Sequence, residues 1–156
     1  MALFLSTTVN KLDKKGRVSV PARWRAALAG QSFHGIVAYP SFISATIEAS
    51  GIDRIERLSE SIDRFDPFSE ERNAFAVAIL ANSRELPFDS GGRIALSEDL
   101  IAHAGLNDGA AFVGQGATFQ IWEPKAFAAY EAEARARARD ERNSLSLRRP
   151  EEPSGP

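Results

Sequence analysis

The sequence predicts a mainly β protein with peripheral helices, an α+β chain in which two copies of one small unit share a core as a pseudo-two-fold β-barrel or sandwich. Three observations carry that expectation. A block near the start, Asp13-Lys14-Lys15-Gly16-Arg17-Val18-Ser19-Val20, has an echo 76 residues later in Asp89-Ser90-Gly91-Gly92-Arg93-Ile94-Ala95-Leu96. Each block lies between β-prone runs, and its Asp and Gly are turn residues: Asp bonds the turn backbone and Gly accepts positive φ. The match extends outward in order, pairing Leu12 with Phe88, Trp24 with Leu100, Leu28 with Ala104, and Ile36-Val37-Ala38 with Phe112-Val113-Gly114. Thr46-Ile47-Glu48 likewise resembles Gln120-Ile121-Trp122. Self-similarity on this scale signals repeated supersecondary units.

Each copy reads as strand, turn, strand, short helix and two further strands. The first strands are Thr7 to Leu12 and Arg84 to Phe88; the second are Arg17 to Val20 and Arg93 to Leu96. The Asp-x-x-Gly-Arg segments between them read as hairpin turns. Pro21 suits a first helical position, and Ser97 is a good N-cap followed by acidic Glu98 and Asp99. Trp24 and Leu28 share a helix face, as do Leu100 and Ala104, and Gly105 is placed to end the second helix. The closing strands fall near Gly35–Tyr39 with Ala45–Glu48, and Ala110–Gly114 with Thr118–Trp122.

Between the copies, Ile52, Ile55, Leu58, Ile62 and Phe65 recur at helical spacing until Pro67. Ser69 then caps a helix holding Phe75, Ile79 and Leu80. Pro124 opens a last helix with Phe127 and Tyr130 inward and with Glu131–Arg135 and Glu133–Arg137 as i,i+4 pairs. Phe65, Phe75 and Phe127 are expected in the core. The resulting domains are residues 1–50 and 83–125 as the two units, 51–82 as a helical connector, 126–142 as a C-terminal helix, and 143–156 as a disordered tail. One unit of about forty residues buries little core by itself, which is why the two are expected to pack together.

Composition narrows the function. At 44% hydrophobic and 26% charged, the 156 residues are those of a globular protein, neither disordered nor fibrous. The absence of Cys excludes disulfides, thiolate metal sites and Cys nucleophiles. His34 and His103 have no partners at ligand spacing, so no metal and no cofactor is expected. No nucleophile–base–orienter set can be named, so no catalytic residue is assigned and an enzyme is not expected. The longest near-apolar run, Ala74 to Ala81, is too short for a bilayer, and Met1–Leu5 lacks the basic flank of a signal peptide. The expected location is cytoplasmic, with no membrane partner.

A net charge of −2 excludes polyanion binding by bulk charge, but the charge is uneven. Residues 1–30 carry +5, residues 31–134 carry −9 and residues 135–149 carry +4. Lys11, Lys14, Lys15 and Arg17 cluster around the first turn, and Arg23 and Arg25 follow on the next helix. Such a cluster suits phosphate contacts, and Arg also matches the O6/N7 edge of guanine. Gly16 lets the backbone come close to a duplex. Asp13 has the wrong sign for phosphate and is read as bracing the turn or as holding an Arg. A plain hairpin with an Arg–Asp bridge explains the same residues. Trp24 and Trp122 read as core or interface aromatics rather than stacking platforms. Asp53, Glu56, Glu60 and Asp63 read as a solvated helix face, and Gly114-Gln115-Gly116 as a turn. The arginines from Arg135 to Arg149 are open to two readings, a DNA contact or an ordinary exposed helix end.

The segment Asp13-Lys14-Lys15-Gly16-Arg17-Val18-Ser19-Val20-Pro21, followed by Arg23-Trp24-Arg25 and by the second Asp89-Ser90-Gly91-Gly92-Arg93, resembles the signature of MraZ proteins, which carry two SpoVT/AbrB-like units. The resemblance covers roughly Met1 to Glu141. It implies a swapped-hairpin, AbrB-like barrel and a bacterial DNA-binding transcriptional regulator of the division and cell-wall operon, an autorepressor at a nucleoid promoter. It implies assembly into homo-oligomeric rings on direct repeats of double-stranded promoter DNA. Residue by residue it assigns DNA binding to Arg17 and Arg93, with Lys15 beside the first, while Asp13, Gly16, Asp89 and Gly92 brace the turns. Lys14, Lys11, Arg23 and Arg25 complete the candidate set. The chain departs from the pattern at Gly91, where the first copy has Lys15, and at Ser97, where it has Pro21. The alternative is an oligomeric protein-interaction module or antitoxin-like binder on the same fold.

Overall fold

A computed structural model describes residues 2–147. One compact unit runs as far as Pro124, and the described residues from Lys125 onward belong to a second. The first contains strands β1 (Thr7–Lys11), β2 (Arg17–Ser19), β3 (Gly35–Pro40) and β4 (Ile47–Ser50), with helix α1 (Ala22–Ala27) between β2 and β3. Helices α2 (Ile52–Asp63) and α3 (Glu70–Phe75) follow, and α3 runs on into a π-helical stretch, Ala76–Leu80. Then come β5 (Arg84–Pro87), β6 (Arg93–Ala95), helix α4 (Glu98–Ala104), β7 (Gly109–Gly114) and β8 (Phe119–Trp122). The order strand, strand, helix, strand, strand thus occurs twice.

The fold is mainly antiparallel sheet with several helices. Six strands form one sheet in the order β1-β7-β8-β4-β3-β5, and β2 and β6 form a separate two-stranded ribbon. The described strands do not close into the expected barrel: the large sheet ends at β1 and β5. Nor do the strands flanking each Asp-x-x-Gly-Arg turn pair with each other as a hairpin. β1 pairs with β7, with Val9 opposite Ala111, and β5 pairs with β3, with Leu86 opposite Ile36. Each half therefore lends its first strand to the other half's third. Turn chemistry fixes the bend, but the hydrogen-bonding edge a strand meets depends on the whole topology.

The core fills the space between ribbon, short helices and sheet. Val18, Val20, Ile94 and Leu96 point into it from the ribbon, and Ile36, Ile47, Phe112, Phe119 and Ile121 from the sheet. Trp24 is at its centre, with ring centroids 5.4 Å from Phe4, 4.8 Å from Phe119 and 6.0 Å from Phe112. Its indole N–H donates to the Leu5 carbonyl at 3.0 Å, which allows so large a polar-tipped ring to be buried. Leu28, Leu100 and Ala104 are buried as their helical spacing requires.

Helix boundaries follow local chemistry. Ser69 caps α3, its side chain accepting from the Arg72 N–H at 3.2 Å, and Gly105 ends α4 in the left-handed region at φ 63°. Ser97 occupies the N-cap position of α4, but its hydroxyl donates to Asp99 at 2.6 Å instead of accepting from the helix. Pro21 is extended and precedes α1.

Several expected core aromatics are not buried. Phe65 is 42% exposed and stacks on Phe75 at 5.6 Å, which in turn stands 6.4 Å from Phe42. Phe65 falls two residues beyond the end of α2 and Phe75 ends α3, and among the described residues no element buries either ring. In the second unit, α5 (Pro124–Asp140) has no buried residue, and Tyr130, expected inward, is 44% exposed. Of the ion pairs expected there, Glu133–Arg137 gives way to Arg137–Glu141 at 3.5 Å, and no Glu131–Arg135 bridge forms among the described residues. Exposed pairs of this kind are worth a few tenths of a kcal/mol, about 0.3–0.5, so small differences choose between partners. Arg142–Ser144 forms a 3-10 turn at the start of the expected tail, and residues 148–156 lie outside the described residues.

Candidate nucleic-acid interface

The two turns are built alike. Asp13 Oδ1 accepts the backbone N–H groups of Lys15 at 2.9 Å and Arg17 at 2.8 Å, while Oδ2 accepts from Arg17 Nε at 2.8 Å. Asp89 repeats this with Gly91 at 2.8 Å, Arg93 at 2.9 Å and Arg93 Nε at 3.1 Å. Asp13 thus bonds both the turn backbone and the Arg17 side chain. The backbone N–H of Arg17 is the leading cause that holds the Asp13 carboxyl below the ordinary 3.8, with the Arg17 side chain and the Lys15 N–H adding to it. Asp89 is lowered chiefly by the Arg93 N–H and further by the Gly91 N–H. Gly16 and Gly92 have φ of 81° and 74°, a region costly for any residue with a Cβ.

The ribbon sets the arginines in relation to each other. Arg17 pairs with Ala95, Val18 with Ile94 and Ser19 with Arg93. Val18 and Ile94 are buried, so by alternation Arg17, Ser19, Arg93 and Ala95 lie on the opposite, outward face. The crossing thereby brings Arg17 and Arg93 onto one surface of one narrow ribbon. Because each arginine gives Nε to its Asp, the terminal guanidinium nitrogens are directed by a rigid turn. Lys11, Lys14, Lys15 and Arg23 are all exposed.

Arg25 is placed differently from what the order of residues suggests. The strand end of each half meets the turn of the other: Val20 N–H donates to the Gly92 carbonyl at 3.2 Å, and Leu96 N–H to the Gly16 carbonyl at 2.8 Å. Helix α1 therefore starts beside the second turn. Arg25 Nε donates to the Val20 carbonyl at 3.1 Å, and its Cζ and Nη1 lie 2.5 Å from where a Cβ on Gly92 would be. The signal that could have found this is the extent of the internal match, but only together with the crossed pairing.

Elsewhere, a pocket of about 250 Å³ opens between β3, β4 and α2, lined by Tyr39, Glu48, Arg54, Ile55, Leu58 and Ile79 among others. Burial, helped by Glu48, pushes the Tyr39 phenol up. His34 packs edge-on against Phe88 at 5.2 Å, and His103 lies 3.1 Å from the Ser44 carbonyl oxygen. Among the described residues there is no group of three or more metal-binding side chains, and no helix is long and apolar enough to cross a membrane.

The exposed antiparallel ribbon thus carries two aspartate-paired arginines on one face and lysines at one turn. Comparison with known proteins places the chain more closely. Residues 79–148 match the family described as "MraZ protein, putative antitoxin-like". A protein of Pelagibacter ubique named "Transcriptional regulator MraZ" is 53% identical over 143 residues, 92% of each chain. Relatives of the same name from Rickettsia canadensis and Rickettsia bellii are each 47% identical, covering 93% of this chain and 97% of their own. The chain belongs to the MraZ family. These relatives are named as regulators of transcription, not as enzymes.

Proposed function

We propose that the chain is a sequence-specific DNA-binding transcriptional regulator, an autorepressor of the division and cell-wall operon that engages promoter direct repeats as a ring of identical chains. The observation that carries the reading is the β2–β6 ribbon with Arg17 and Arg93 on its outward face and Lys14 and Lys15 at one turn. A two-stranded ribbon fits the major groove, where a directed guanidinium reads guanine and ammonium groups hold phosphates. The names of the relatives support the regulatory role. The SpoVT/AbrB-like units are residues 1–50 and 83–125, and such a chain works in the cytoplasm at the nucleoid. Assembly is supported by the uncovered Phe65, Phe75 and Phe68, the last 96% exposed.

A mobility-shift assay on the DNA upstream of the chain's own gene tests this. Wild-type protein should bind it in competition with random duplex. Arg17→Ala should lose about 1–3 kcal/mol of that affinity while keeping its melting temperature. Equal binding to random duplex, or an Arg17→Ala variant of unchanged affinity, refutes the reading. A second reading, a protein-interaction module, is favoured by the "antitoxin-like" family description. It predicts no specific retention on promoter DNA.

A further inference from the structure

We propose that Arg25 is the cation of the second turn: the first half's helix supplies to the Asp89–Arg93 turn the positive charge that this turn's own sequence lacks. The inference rests on the DNA-binding reading and adds a residue-level division of labour to it.

The two turns face opposite partners across the molecule. Beneath the first turn, the position of a Cβ on Gly16 lies 3.3 Å from Ile101 Cδ1 of α4. Beneath the second, the corresponding position on Gly92 lies 2.5–2.6 Å from three atoms of the Arg25 guanidinium, which therefore lies flat against the glycine. Arg25 and Ile101 are 76 residues apart, the same offset as Gly16 and Gly92. The turn that carries Lys14 and Lys15 thus rests on an isoleucine, and the turn that carries Ser90 and Gly91 rests on an arginine. With Asp89 paired to Arg93, the second turn has no net charge of its own. Arg25 restores one.

Arg25 is only half-buried, so its charge is not closed off from solvent. Its Nε is held by the Val20 carbonyl, and among the described residues it makes no ion pair, whereas Arg17 and Arg93 are each paired with an aspartate. Its uncompensated charge beside the turn fits a DNA phosphate. The exchange is one-way. Where α1 carries Arg23, α4 carries Asp99, which is bonded to Arg84, so the second half has no cation on its helix to return. Gly92 is needed on two counts: its φ of 74° disfavours a Cβ, and a side chain there would displace the guanidinium.

A double-mutant cycle on promoter affinity tests the assignment, with the full-length chain and its own upstream DNA. Arg25→Ala should weaken binding about tenfold and lower the slope of log affinity against log salt by about 1, the mark of one lost phosphate contact. Arg25→Lys should recover the slope. Arg25→Ala and Arg93→Ala should be strongly non-additive, while Arg25→Ala and Arg17→Ala should multiply. Gly92→Ala, which pushes the guanidinium aside without changing charge, should weaken binding as Arg25→Ala does, and Arg25→Ala should add nothing in that background. Coupling to Arg17 instead of Arg93, or an unchanged salt slope in Arg25→Ala, overturns the inference. Either result is distinct from a failure of the DNA-binding reading, in which the wild-type chain itself shows no preference for the promoter.

Discussion

Gly16 is the position at which the crossed architecture can be tested without DNA. Replacing it by Ala does two things. It places a Cβ at φ 81°, where L-residues lose roughly 1–2 kcal/mol. It also puts that Cβ 2.5 Å from the Leu96 carbonyl oxygen, a backbone atom of the other half. The two halves must part locally, and the Leu96 N–H to Gly16 carbonyl bond at 2.8 Å is stretched or lost. Such a bond is worth about 0.5–1.5 kcal/mol. The expected loss is therefore about 1.5–3.5 kcal/mol. Gly30 supplies the control, because it has φ 91° with nothing within 4 Å of its would-be Cβ. Gly30→Ala carries the φ cost alone, and the entropy both variants remove from the unfolded chain cancels in the comparison. Urea unfolding at one fixed protein concentration should show Gly16→Ala about 0.5–1.5 kcal/mol less stable than Gly30→Ala. Gly92→Ala should fall between them, since its Cβ meets a side-chain end that can swing away. Equal losses for Gly16→Ala and Gly30→Ala would refute the cross-half contact.

Two further outcomes follow from the same packing and electrostatics. Asp13 and Asp89 have folded-state pKa values below the ordinary 3.8, so the unfolded chain binds more protons in the acid range. Their stabilising contribution is present above about pH 4 and is lost as pH falls through the folded values, and the Asp13→Asn/Asp89→Asn double variant should flatten the acid limb of stability against pH in urea titrations; an unaltered limb refutes it. Trp24→Ala removes the ring at the centre of Phe4, Phe112 and Phe119 and should cost about 3–5 kcal/mol in chemical unfolding, with Trp24→Phe losing less; a loss under about 1 kcal/mol would place the tryptophan outside the core.

What could be read from the sequence was what a few consecutive residues decide. Asp13 and Gly16 close their turn within five residues, by a side chain reaching two backbone N–H groups and by a positive φ. Both requirements are visible as residue types. The Ser69 cap and the Gly105 stop are local in the same way. The partners of β1 and β2 were not legible, because a strand's alternation shows which face is apolar and not which edge it joins. Periodicity placed Phe65 on the apolar face of one helix and Phe75 on that of the next, but whether anything covers those faces is a property of the assembled surface. Tyr130, expected inward on α5, is 44% exposed, because the spacing of Phe127 and Tyr130 says only that they share a helix side and not how deeply it is buried.

The crossing also explains why charge counted along the chain misleads at this site. Counted by segment, all six cations of residues 1–30 belong to the first turn, and the second turn is left with Arg93 against Asp89. Folding redistributes them. The ribbon register sets Arg17 and Arg93 on a common face, and the bonds from Val20 and Leu96 carry each helix to the opposite turn. Arg25 then lies under Gly92, while Ile101 lies under Gly16. An apolar side chain there closes a turn already rich in lysine, and a guanidinium there charges a turn that has none. The inequality between the halves along the sequence is thus partly offset in space, through a glycine that has to stay bare for the guanidinium to fit.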